Sequence, residues 1–251
     1  MLVGNAAGRS VYPLFVMCDE VYINITYGGA EAVHLSDVIG DVCGFSLKGI
    51  SKEIPWPGSR CGWVEFYNRE RDPVFERFAQ SLLGAKMLEV CSTTLPQRAI
   101  PRILGDPRYS GHLAERAQEF ERRADEACQV LQDVPGISVN RPQGAFYMTV
   151  LFDRDALNDR MVLEIANPEV RVVIEELLED TTALDFRFVY HLMGATGIVV
   201  VPLSSFACDY HGFRITLLEC DTARRRSIFE TLARSIRDYL ASGAPAAASQ
   251  S

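Results

Sequence analysis

The chain holds 251 residues, 48% of them hydrophobic and 23% charged, with a formal net charge of -8. That length admits one large domain or two smaller ones, and the composition is ordinary for a globular protein with a sizeable core. The negative balance argues against nucleic acid or an anionic membrane as the main partner, since both want a basic face, and no apolar run reaches the roughly 18–20 residues of a membrane span.

Met1-Leu2-Val3-Gly4-Asn5 has no basic stretch leading into an apolar one, so no signal peptide is read. Val11 to Cys18 is apolar apart from Pro13 and reads as a buried strand ending at Asp19. Val38 to Leu47 reads as a second strand and Ser59 to Tyr67 as a third. A helix is expected over Pro73 to Leu83, with Phe75, Phe78, Ala79 and Leu82 on one face. Strand ends carrying polar residues, alternating with helical stretches, predict an α/β sheet whose site lies at the strand C-termini.

Gly105 to Gly111 looks like a hinge. A long helix follows over His112 to Gln132, with Leu113, Ala117, Phe120, Ala124, Ala127 and Leu131 at spacings of three and four. Short strands are expected at Ile137–Asn140 and Ala145–Leu151, mixed helical sequence at 155–181, and a helix at Asp185–Met193. Gly197 to Pro202 reads as a β-branched strand with Phe213 to Leu218 as its partner. A last helix, Thr222 to Leu240, turns Ile228, Leu232, Ile236 and Tyr239 inward, and the Ala/Ser-rich stretch 242–251 reads as a disordered tail.

The seven cysteines are widely spaced and include no C-x-x-C, so they read as buried free thiols in a reducing cytoplasm. The four histidines show no ligand spacing, and no metal site is expected.

The most informative feature is Lys52 with Arg60 eight residues on, inside Ser51-Lys52-Glu53-Ile54-Pro55-Trp56-Pro57-Gly58-Ser59-Arg60-Cys61-Gly62-Trp63, with Asp19-Glu20-Val21-Tyr22 upstream. An amine, a guanidinium, a carboxylate and a phenol are the parts that hold a phosphorylated pyridine aldehyde, pyridoxal 5'-phosphate. Lys52 at the mouth of a sheet could form a Schiff base with the aldehyde, and a nearby cation would help keep its amine unprotonated. Arg60 offers a planar fork for the phosphate, and Ser51 a hydroxyl. Asp19 could keep the pyridine nitrogen protonated, and Tyr22 could reach the ring's phenolate oxygen. Freed by a substrate amine, Lys52 could move a Cα proton. Arg214, flanked by apolar residues, needs a partner that a substrate α-carboxylate would supply. Taken singly, these residues read more blandly as a surface lysine, a loop carboxylate, a core aromatic and structural ion pairs. Lys48 is the competing lysine, but it lacks the preceding serine and the glycine-flanked arginine eight residues on.

Asp19-x-x-Tyr22, Ser51-Lys52, Arg60-x-Gly62-Trp63 and Arg214 in Phe-Arg-Ile-x-Leu together resemble the class I/II aminotransferases, pyridoxal-phosphate enzymes of fold type I. Gly144 to Tyr147 and Val200 to Phe206 are similar to stretches of that family's small domain. The resemblance implies the C-terminal part of the large cofactor-binding domain over 1–108, with a mostly parallel sheet. An α+β small domain with its long connecting helix would follow over 109–241. It implies that Lys52 carries the cofactor, that Asp19, Tyr22, Ser51 and Arg60 bind it, and that Arg214 binds substrate. It further implies amino-acid and 2-oxo-acid substrates and a homodimer.

The chain departs from the family pattern at Gly49, where a serine is common, and at Leu203, where a glycine usually follows the proline. No counterpart of the family's N-terminal phosphate loop, stacking aromatic or asparagine is found, so a fragment or a misassigned start is expected, poorly stable alone. A β-lyase or decarboxylase-like reaction on the same cofactor, and a non-catalytic remnant, are the rival readings.

Overall fold

The computed structural model describes residues 14–243. Two compact units divide the chain, residues 1–118 and residues 119–251.

In the first unit the described elements are β1 (Val16–Asp19), α1 (Leu35–Val38), β2 (Gly44–Gly49), β3 (Gly62–Tyr67), α2 (Pro73–Lys86) and α3 (Thr94–Leu104), followed by the start of α4 (Tyr109–Leu131). The sheet order is β1-β2-β3. β1 runs parallel to β2, with Val16 opposite Gly44 and Asp19 opposite Leu47. β3 is antiparallel to β2, with Gly44 opposite Tyr67 and Gly49 opposite Gly62. Strand alternation sends Phe45, Leu47 and Phe66 to one face, where they pack with Cys43 and with Phe75 of α2. α2 starts where it does because the Asp72 carboxylate accepts from the Val74 and Phe75 amides at 2.7 and 2.9 Å, with Pro73 at the first helical position.

The first strand is not buried: Leu14, Phe15, Val16 and Met17 are 37–64% exposed, because among the described residues β1 has a ladder partner on one side only. Val11 to Pro13 lie outside the described residues. The second strand starts at Gly44 rather than Val38, since 35–38 forms a helical turn and Gly40, at φ 54°, reverses the chain. On α2 only Phe75 and Ala79 of the expected apolar face are buried, while Phe78 and Leu82 are exposed. α3 was not expected at all; Pro96 and Pro101 within its length mask the helical pattern.

The second unit holds the rest of α4, then β4 (Ile137–Asn140), β5 (Tyr147–Phe152), α5 (Pro168–Glu179), α6 (Leu184–Thr196), β6 (Val201–Pro202), β7 (Gly212–Thr216) and α7 (Thr222–Ser242). Its sheet is antiparallel in the order β4-β5-β7-β6. Met148, Val150, Phe213, Phe188 and Tyr239 are all 0–1% exposed, and the Phe188 ring lies 5.4 Å from Phe213 and 5.2 Å from Tyr239. Burial of each such side chain contributes about 1.5–3 kcal/mol. Two buried arginines tie elements together. Arg225 of α7 reaches Glu126 of α4 at 2.7 Å and the Glu219 carbonyl at 2.8 Å, and Arg123 of α4 donates to the Leu217 carbonyl at 2.7 Å. The apolar stripe expected on the long helix is largely buried, from Ala117 through Leu131.

The strand expected at Gly197–Pro202 shrinks to Val201–Pro202, because Gly197, at φ 75°, caps α6 by donating its backbone N–H to the Met193 carbonyl. Ser242, placed at the start of the expected tail, belongs to α7 instead, and residues 244–251 lie outside the described residues. All seven cysteines are free, but only Cys43 is buried; Cys18, Cys61, Cys128 and Cys208 are half-buried, and Cys91 and Cys220 are exposed.

Candidate active site

Register brings most of the expected residues to one end of the first sheet. Asp19 is the last residue of β1, Gly49 ends β2, and Gly62 opposite it begins β3. Lys52 lies three residues past the end of β2 and Arg60 two residues before β3. The crossing between them is tight: a Cβ on Gly62 would stand 2.7 Å from the Lys48 carbonyl oxygen. The Lys52 Nζ lies 5.4 Å from the centre of the Tyr22 ring, within cation–π range. Asp19 is exposed, and its Oδ1 accepts from the Val21 amide at 3.2 Å. Ser51 is half-buried in the bend between β2 and Lys52.

Arg60 is exposed and adopts a left-handed backbone, φ 50° and ψ 44°, which costs a non-glycine residue about 1 kcal/mol. Its Nη1 donates to the Pro57 carbonyl at 2.8 Å. Arg60 also lines an open cleft of about 620 Å³ with Trp63, Lys86, Ile100 and Leu104, and that cleft takes in none of Asp19, Tyr22, Ser51 or Lys52.

The structure separates the two lysines by their partners. Lys48 Nζ stands 3.2 Å from Glu20 and 3.1 Å from Glu65. Burial alone would lower the Lys48 pKa, but hydrogen bonds and charge from Glu65 and Glu20 outweigh it and hold the ammonium above its ordinary value. Glu20 is likewise held below the usual carboxylate range, against its own burial, by the Leu35 amide at 2.6 Å and by Lys48. An amine locked in its charged form is no nucleophile, so Lys48 is a structural cation. Sequence reading missed this network because its members lie far apart along the chain and carry no motif.

In the second unit Arg214 sits in the middle of β7, opposite Thr149 and Val201. Its guanidinium carbon lies 4.2 Å from the Tyr147 ring centre and 4.3 Å from that of Phe206. A guanidinium carried on aromatic rings keeps its N–H edge for an in-plane acceptor. Among the described residues no carboxylate forms an ion pair with it. Phe206 ends the short turn Leu203–Phe206, and fully buried Asp185 holds that turn by accepting from the Ser204 amide at 3.0 Å and from its hydroxyl. Asp185 is a residue that sequence reading passed over.

The profile of the family "Aminotransferase class I and II" matches residues 10–232. The chain belongs to that family. It is 48% identical over 229 residues to an uncharacterized aminotransferase of Methanocaldococcus jannaschii, covering 91% of this chain and 53% of the relative. It is 24% identical over 208 residues to the glutamate-pyruvate aminotransferase AlaA of Escherichia coli K12, covering 80% of this chain and 50% of that one. An aminotransferase structure from Escherichia coli superposes with a TM-score of 0.68 at 21% identity, over 91% of this chain and 49% of the other. The alanine aminotransferase of Pyrococcus furiosus gives 0.65 at 24% identity, over 90% and 49%. The aminotransferase-family chain described here therefore has the fold of these enzymes and spans about half the length of the relatives it matches.

Proposed function

We propose that this chain carries the lysine-bearing side of a pyridoxal-phosphate-dependent aminotransferase site, which moves an amino group between an amino acid and a 2-oxo acid. The observation that carries the proposal is the Lys52 amine standing over the Tyr22 ring at the sheet end that also holds Asp19 and Arg60, while Lys48 is tied up in ion pairs.

The donor set fits the cofactor: an amine for the aldehyde, a carboxylate for the ring nitrogen, a phenol for the ring oxygen, a guanidinium and a hydroxyl for the phosphate. When bound, pyridoxal phosphate supplies a ring that withdraws electrons from the substrate Cα. The chain's own residues do the rest. Lys52 holds the cofactor and, once released, takes and returns the Cα proton at its Nζ. Asp19 keeps a proton on the ring nitrogen. Ser51 and Arg60 anchor the phosphate. Arg214 binds the substrate α-carboxylate edge-on, braced by Tyr147 and Phe206.

A homodimer is the assembly that the family implies, and the exposed apolar side chains of β1 and α2 are consistent with a further partner surface. The seven unpaired cysteines support a reducing, cytoplasmic setting. Incubation with pyridoxal phosphate, borohydride reduction and peptide mapping tests the proposal. The expected label is on Lys52, and Lys52→Ala should lose it. A label that persists in Lys52→Ala, or that falls on Lys48, would overturn the assignment.

A further inference from the structure

The residue right after the candidate lysine is a buried carboxylate that the proposed roles leave unused. Glu53 is 7% exposed. Its Oε1 accepts from the Asn24 backbone amide at 2.8 Å, and its Oε2 accepts from the Asn24 side-chain amide at 3.0 Å. The Tyr109 hydroxyl donates to the same Oε2 at 3.5 Å, and a ring nitrogen of His112 lies 3.2 Å from the Glu53 carbonyl oxygen. A carboxylate taken out of water is costly unless donors surround it, and here three donors converge.

The geometry of the chain gives this clamp a consequence. Asn24 is two residues beyond Tyr22, in a turn closed by the Ile25 amide bonding to the Tyr22 carbonyl at 2.9 Å. Glu53 is one residue beyond Lys52. The bidentate Glu53–Asn24 contact therefore joins the two segments at the point where the Lys52 amine meets the Tyr22 ring. The segments are 29 residues apart at this contact, so local chain stiffness does not set their distance.

We infer that Glu53 is a positioning residue: its carboxylate ties the Lys52 segment to the Tyr22 segment and so sets where the Lys52 amine stands against the Tyr22 ring. The inference rests on the proposed function for its catalytic meaning, but the clamp itself is testable without the cofactor. Glu53→Gln keeps the size of the side chain and sets an NH2 group against the donors of Asn24. Asn24→Ala removes one of the two bonds from the other side, and serves if the glutamine variant does not fold.

Three readouts are taken on the full chain. In cofactor-free protein the Asn24 backbone amide should exchange about tenfold faster in Glu53→Gln, while the Phe45 amide in the β2 ladder keeps its protection. Reductive methylation of Lys52 by formaldehyde with cyanoborohydride as the hydride donor should speed up about threefold or more as the amine leaves the ring. Capture of pyridoxal phosphate on Lys52 at sub-saturating cofactor should fall about tenfold. An Asn24 amide that stays protected, or a Phe45 amide that loses protection equally, overturns the clamp. Unchanged Lys52 methylation with a faster Asn24 amide overturns its positioning role. Failure of wild-type Lys52 to capture pyridoxal phosphate sinks the proposed function alone, because the first two readouts still decide the inference.

Discussion

Arg214 shows how one side chain is prepared by its neighbours. Two aromatic rings at 4.2 and 4.3 Å hold the guanidinium plane, which would limit the rotamer entropy lost if the proposed substrate carboxylate binds there. A lysine would keep the charge and lose the planar fork. Arg214→Lys is expected to lower kcat/KM for an amino-acid donor by about tenfold to a hundredfold, the scale of a lost charged hydrogen bond. Steady-state assay of the wild type and the variant checks it, and equal values would remove Arg214 from the proposed substrate site. The residue types of this site were legible in the sequence. The rings that brace Arg214 were only half legible: Tyr147 and Phe206 stood in family-like stretches, but their closeness to Arg214 depends on β5 pairing with β7 and on Asp185 holding the 203–206 turn.

At the scale of elements, α6 carries a histidine into the core. His191 is 6% exposed, its ring lies 5.7 Å from that of Tyr239 on α7, and its Nδ1 accepts from the Leu163 amide at 3.4 Å. Burial pushes its pKa down to about 4 from an ordinary 6.5, and the nearby Arg187 charge adds to the shift. Below pH 6.5 the unfolded chain takes up a proton here that the folded chain refuses. Stability from this site is therefore full above about pH 6.5 and is lost progressively as the pH falls toward 4, by up to about 3 kcal/mol. Melting temperature measured across that range should drop more steeply for the wild type than for His191→Phe, which cannot titrate. Parallel curves would mean that His191 is not protected from protons in the folded state. Periodicity located α6 and α7, but not which of their residues would be desolvated by the other.

At the scale of the molecule, the first unit presents apolar side chains outward: Val16 and Met17 on the edge strand, Phe78, Leu82 and Leu83 on α2, then Met87, Leu88 and Val90. Among the described residues β1 pairs on one side only, and an edge strand beside an apolar face favours association. The 251-residue polypeptide, produced by itself, is expected to show a concentration-dependent mass above 28.0 kDa by light scattering, and Met17→Lys should reduce it. A constant monomer mass at all concentrations would refute this.

The sequence by itself determined the family, the long amphipathic helix, the short strand at Ile137–Asn140, and the residue types of the candidate site. Those signals are local: a hydrophobic period, or a lysine and an arginine at a set spacing, needs nothing from elsewhere in the chain. Tertiary structure alone decided which lysine is tied up as a cation, which carboxylate clamps Asn24, and which strand stands at an edge among the described residues. Glu20 meets Lys48, and Glu53 meets Asn24, across 28 and 29 residues. Such contacts exist only once β1, β2 and the turns beyond them are brought together, because strand pairing, not local preference, fixes the distance and offsets the cost of closing the loop.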